Sequence, residues 1–140
     1  MSITKKIQCI IFDWDGTLID SIAPLMKVFL KCCDVLKIPH PQDNLLQRSF
    51  GQPSSHLLRD VLGDKYAKDT TLVAQFEKEF NERYKNEPSC LLPGVHTALQ
   101  SLHASGFNLC IASNAPRPIL NLGIQQTQVD QLIKLSVCAD

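Results

Sequence analysis

Two aspartates, Asp13 and Asp15, stand two residues apart directly after a short apolar run. That spacing turns both carboxylates to the same side of an extended chain. Such a pair suits phosphoryl chemistry. One carboxylate can attack phosphorus and carry the group as an aspartyl phosphate. The other can protonate the leaving oxygen and then take a proton from the attacking water. Two carboxylates repel a phosphate, so a divalent cation is needed, and Mg²⁺ binds through a few carboxylates, waters and phosphate oxygens. Two simpler readings compete. Asp-Gly is a common turn dipeptide, and a calcium loop also opens on Asp-x-Asp. The calcium loop needs its glycine at position six, whereas Gly16 stands at position four, which rules it out.

The carboxylates need an element to hold them. The run Ile7 to Phe12 has Gln8 as its one polar residue, and reads as a strand buried on both faces in a parallel sheet. Gly16 lets the backbone turn away. The pair then lies at the C-terminal end of a buried strand, where open α/β sheets place their ligands. A second strand reads over Phe107 to Ala112, followed by Ser113, Asn114, Ala115 and Pro116. A hydroxyl and an amide there can hold phosphate oxygens alongside backbone N–H groups; alone, they would read as helix N-caps. A third strand reads over Lys134 to Ala139.

The whole string Phe12-Asp13-Trp14-Asp15-Gly16-Thr17-Leu18-Ile19-Asp20-Ser21 resembles the first signature motif of the haloacid dehalogenase-like hydrolases, in their phosphoglycolate phosphatase-like branch. The resemblance implies that Asp13 is nucleophile and metal ligand. It makes Asp15 the general acid/base, with its backbone carbonyl on the metal, and Mg²⁺ the cofactor. Trp14 stands where the family more often has Leu or Met and should pack inward. Ser113 and Asn114 resemble the second motif, which holds the phosphoryl group; the Lys often found after that Asn is Ala115 here, with Arg117 as a nearby cation. The family's third motif, a Lys, and its fourth, one or two aspartates, follow the third strand. Lys134 stands at the start of that strand, not after it, and lacks the Lys-Pro context, so it is not assigned the third role. The resemblance spans essentially all 140 residues but only the first two-thirds or so of the family's usual length, and the chain reads as truncated. It implies that the three strands lie side by side in chain order, and that a fourth would cover the free edge of the first.

Between the strands the pattern is helical. Asp20 or Ser21 can cap a helix with Pro24 in its first turn, and Ile22, Leu25, Met26, Phe29, Leu30, Cys33 and Leu36 recur at helical spacing. Further helices read over Gln42 to Ser49, Ser54 to Leu62 and Leu72 to Tyr84. The last carries Val73, Phe76, Phe80 and Tyr84 on one stripe and a solvated charged face opposite. Residues 22–87 read as a helical insertion, and residues 1–21 with 88–140 as a discontinuous Rossmann-like α/β core. In the resembling family the insertion is a cap that closes over the site, excluding water. Gly51 and the turn Gln52-Pro53-Ser54-Ser55 fall where that family often has a Gly loop reaching toward the substrate, and Gly-x-Pro is also an everyday turn. His56 and Arg59 are the cap residues best suited to an anion, and each also reads as plain exposed helix surface. Leu92-Pro93-Gly94-Val95 matches the hinge before the next core helix, Val95 to Ser105, with Gly106 as its C-cap. The helix after Pro116 is weakly written.

Composition sets the class. With 44% hydrophobic and 20% charged residues the chain is ordinary globular protein. Fourteen basic against fourteen acidic residues leave no net charge, so there is no electrostatic case for nucleic acid or a membrane surface. No signal peptide or membrane-length apolar segment is read. The six cysteines include no C-x-x-C pair, so they read as free thiols in a reducing cytoplasm, with Cys9, Cys110 and Cys138 as small strand hydrophobes. The function expected is Mg²⁺-dependent hydrolysis of a small phosphomonoester, phosphoglycolate foremost by resemblance. The alternative is an inactive fragment acting as a binding or interaction module, self-associating through its uncovered strand edge.

Overall fold

The computed structural model describes residues 7–52 and 54–138. In chain order the elements are β1 (Cys9–Phe12), α1 (Ile22–Leu36), α2 (Asp43–Ser49), α3 (Ser54–Leu62), α4 (Asp64–Ala67), α5 (Thr70–Tyr84), α6 (Val95–Ala104), β2 (Asn108–Ala112), α7 (Arg117–Gln126) and β3 (Ile133–Val137). The chain divides into two units, Met1–Asp20 with Ser89–Asp140, and Ser21–Pro88.

The first unit is α/β, as the sequence led us to expect. Its sheet is parallel and three-stranded, in the order β1-β2-β3. Phe12 pairs with Ile111, and Ala112 with Val137, so all three strands end at one edge. Leu109 and Ile111 of β2 join Leu99 of α6 and Leu120 and Ile124 of α7 in one buried cluster, with Ile10 and Phe12 packed against it.

The expectation of a strand buried on both faces fails. β1 begins at Cys9, and Ile11 is 67% exposed, as are Leu135 and Val137 by more than half. The alternation along β1 is that of a one-sided sheet. The residues that bury β2 come from α6 and α7, and they lie on one face. A run of apolar residues names a strand but does not say whether its second face has a partner. Cys9 is accordingly exposed, and Cys110 and Cys138 are partly exposed. β3 starts one residue earlier than expected, and its expected end, Ala139, lies outside the described residues, as does Pro53.

The second unit is helical. α1 forms where expected but ends at Leu36, with Lys37 in a left-handed C-cap ahead of the prolines, and its buried stripe is Val28, Phe29, Cys32 and Cys33. Two of these, Val28 and Cys32, were not expected; Met26, Leu30 and Leu36 flank the cluster. Ser21 stands at the N-cap without a side-chain capping bond, and its Oγ is buried with no partner. Its carbonyl alone closes the first turn, accepting from the Leu25 N–H at 2.9 Å. α5 starts two residues early because Asp69 caps it, its carboxylate accepting from the Leu72 N–H at 3.0 Å. Phe29 meets Phe76 at a tilt, and Phe76, Phe80 and Tyr84 stack in sequence, at centroid spacings of 4.9, 5.9 and 5.7 Å, within the range that favours aromatic pairs. The short α4, set off by Gly63 at φ +98°, was not legible in the pattern.

Candidate active site

The site grows from the C-terminal end of β1. Immediately after Phe12, Oδ1 of Asp13 accepts a hydrogen bond from the Trp14 N–H at 2.7 Å, and the Asp13 side chain is exposed. The Trp14 carbonyl then accepts from the N–H groups of Thr17, Leu18 and Ile19 at 3.3, 3.0 and 3.2 Å. Gly16 takes φ +71°, and its N–H returns to the Ile19 carbonyl at 3.1 Å. That left-handed backbone is one a side chain disfavours. The outcome is a single tight turn hung from β1.

Three apolar side chains hold this turn in place. Trp14 is 2% exposed, and Leu18 and Ile19 are buried with it. The backbone is tied as well: Asp20 N–H donates to the Cys90 carbonyl at 2.9 Å, and Leu92 N–H to the Leu18 carbonyl at 3.0 Å. Asp13 and Asp15 therefore flank a buried indole, Asp13 at the surface and Asp15 half-buried. The inward packing expected of Trp14 is what the structure shows.

The end of β2 supplies the second group. Ser113 N–H donates to the Val137 carbonyl at 3.0 Å, which fastens it to β3. Its Oγ accepts from the Ala115 N–H at 3.0 Å, a local turn of the kind serine favours. Asn114 is exposed. Pro116 then opens α7. By register, Asp13 follows Phe12 and Ser113 follows Ala112 on the adjacent strand, so both emerge at the same edge of the sheet.

Arg117 is tied to β3. Its Nη1 donates to the carbonyl and to Oγ of Ser136, both at 2.9 Å. It clamps the start of α7 to β3, a role no spacing in the sequence announces, because the partner lies nineteen residues away. Lys134 lies within β3, and its Nζ donates to Asn108 Oδ1 at 3.0 Å. Asn108 opens β2, so this cation sits at the end of the sheet opposite the carboxylates. In the helical unit His56 is exposed, and Arg59 pairs with Asp64 at 3.5 Å.

Asp13 and Asp15 supply carboxylate oxygens, the donors Mg²⁺ prefers. Mg²⁺ commonly uses one or two carboxylates and completes its shell with water and phosphate oxygen. Among the described residues no group of three or more His, Cys, Asp or Glu side chains is gathered. Among the same residues no helix is long and apolar enough to cross a membrane.

Comparison with known proteins places the chain in a family. Residues 10–140 match the family described as Haloacid dehalogenase-like hydrolase. A phosphoglycolate phosphatase of Aliivibrio fischeri is 28% identical over 97% of the chain, which spans 63% of that protein. One from Rhodobacter capsulatus is 37% identical over 76% of the chain and 50% of its own length. A crystal structure described as a predicted phosphoglycolate phosphatase from Haemophilus somnus 129pt superposes with a TM-score of 0.83 at 22% identity. It covers 98% of this chain and 64% of that one, and shows a shared fold. The chain thus spans less than two thirds of each of these relatives.

Proposed function

The chain belongs to the haloacid dehalogenase-like hydrolases, and we propose that it carries the chemistry of a Mg²⁺-dependent phosphatase acting on a small phosphomonoester. The observation that carries this reading is the Asp13 carboxylate, exposed at the end of β1 with one oxygen fixed by the Trp14 N–H. Fixing Oδ1 leaves Oδ2 to attack phosphorus. The bond from phosphorus to the leaving oxygen breaks, and Asp15 gives that oxygen a proton. Water then attacks the aspartyl phosphate, Asp15 takes the water's proton, and inorganic phosphate leaves. Ser113 and Asn114, at the end of the neighbouring strand, orient the phosphoryl oxygens.

Asp13 and the Asp15 carbonyl would hold the Mg²⁺, which neutralises charge between carboxylates and phosphate. Residues 1–21 with 88–140 serve as the hydrolase core and 22–87 as its substrate-selecting cap. The names of the relatives favour phosphoglycolate as substrate. The test is hydrolysis of 2-phosphoglycolate beside sugar phosphates, nucleotides and pyrophosphate, with and without chelator. Preference for phosphoglycolate with loss in chelator is expected; undiminished turnover in chelator would overturn the metal.

A second reading rests on the bare sheet face. Ile11 on β1 and Leu135 and Val137 on β3 are exposed on the two outer strands of the sheet, and parallel sheets are ordinarily covered on both sides. On this reading the chain acts as an interaction module, associating with itself through that face and the β1 edge.

A further inference from the structure

The uncovered face of the sheet also carries chemistry that phosphoryl transfer does not use. Sγ of Cys9 on β1 lies 3.5 Å from Sγ of Cys110 on β2. Cys9 is exposed and Cys110 half-exposed, and both are free thiols. Neighbouring free thiols on two different strands have two outcomes: a direct disulfide, or a single atom bridging them.

Geometry separates the two. Cys9 pairs in register with Asn108, and Cys110 with Ile11, so the cysteines are offset by two residues across the strands. Strands about 4.8 Å apart and an offset of two residues, about 6.6 Å along the chain, put the Cα atoms roughly 8 Å apart, beyond the span of about 4.4–6.8 Å that a disulfide accepts. A sulfur–sulfur bond of about 2.05 Å would thus require the strands to shear. A bridging metal asks for no movement. Two metal–sulfur bonds of about 2.3 Å across a 3.5 Å separation close an angle of roughly 100° at the metal, near tetrahedral.

We propose that Cys9 and Cys110 form a binding site for one thiophilic divalent ion of the zinc and cadmium class, with water completing its shell. Binding releases two protons: two thiols and M²⁺ give a neutral bis-thiolate complex and 2 H⁺. Neutrality matters because Lys134 stands close by, its Nζ held on Asn108. Its charge would repel a bare cation, but it favours the thiolates from which the complex is built; it pulls the Cys9 thiol down against the larger upward effect of the Cys110 hydrogen bond and burial. An ion here ties β1 to β2, four residues before Asp13 and three before Ser113.

The test is titration of the whole 140-residue chain with Cd²⁺, followed by its ultraviolet thiolate charge-transfer absorption. The expected result is one Cd²⁺ per chain with two sulfur ligands. Affinity should fall at least tenfold in Cys9→Ser and equally in Cys110→Ser, and stay unchanged in Cys90→Ser, another exposed thiol. Loss of two accessible thiols to one equivalent of a trivalent arsenical, read by mass on the unsubstituted chain, gives the same answer without substitution. Full Cd²⁺ affinity in either single variant, arsenical adducts on separate thiols, or a Cys9–Cys110 disulfide forming under mild oxidation would overturn the proposal.

Discussion

The indole of Trp14 lies directly against the backbone of Gly123 in α7: a methyl group added at Gly123 would sit 2.9 Å from Trp14 Cζ2 and 3.2 Å from Ser89 Oγ. The residue between the two carboxylates is thus seated in a notch that only glycine leaves open. Positioning of the site is coupled to a helix more than a hundred residues away in sequence.

Gly123→Ala tests that coupling. In an open helix the change would gain about 1 kcal/mol from helix propensity. Here overpacking against a buried ring should cost about 1–3 kcal/mol, so a net loss of stability is expected in denaturant unfolding. In a Trp14→Leu background the sign should reverse, because the smaller side chain vacates the notch. Additive effects in that double-mutant cycle would show that the two residues are not coupled.

Arg117 offers a clean separation of stability from chemistry. If it clamps α7 to Ser136, Arg117→Ala should lower stability by about 1–3 kcal/mol through lost charged hydrogen bonds, while KM for a phosphomonoester changes little in the folded fraction. A large rise in KM with unchanged stability would make it a phosphate ligand instead.

What could be read in advance divides along physical lines. The apolar pattern placed α1 and gave α3 to the residue, and the strand order of the sheet came from the resemblance and is what the structure shows. Both depend on local pattern or on shared descent. The exposed face of β1 was not legible, since an apolar run such as Ile10-Ile11-Phe12 is the same sequence whether or not a second layer covers it. The Arg117–Ser136 clamp and the Cys9–Cys110 contact were hidden for another reason: each joins residues that only the register of the strands brings together. At Ser21 the residue type suggested a side-chain cap, and the backbone alone makes the turn.

The bare face predicts its own remedy. Leu135→Lys with Val137→Lys places charge on positions that are already solvent-exposed, so stability should move by no more than about 0.5 kcal/mol each. Sedimentation should show less self-association than the unsubstituted chain. Equal association in both proteins would place any contact elsewhere.

The adjacent thiols of α1 predict a pH limit. Burial, above all, pushes Cys32 up to about 11 and Cys33 up to about 12, from an ordinary value of 9.0. The fold therefore favours the protonated thiols, and the unfolded chain releases those protons first. Stability should not depend on these groups below pH 9, and should fall from there towards 11–12 by about 1.4 kcal/mol per pH unit per thiol. Unfolding of Cys32→Ala beside the parent across that range checks it; an identical slope in both would remove Cys32 from the account.

The central claim is that Asp13 is the nucleophile, and the most direct measurement is the site of phosphorylation. The chain is incubated with phosphomonoester and Mg²⁺, quenched in acid, and the acyl phosphate located by mass spectrometry after trapping. Label is expected on Asp13, none in Asp13→Asn because an amide cannot take the phosphoryl group, and turnover is severely slowed in Asp15→Asn. Label on another residue, no label on the unsubstituted chain, or turnover persisting in Asp13→Asn would contradict it.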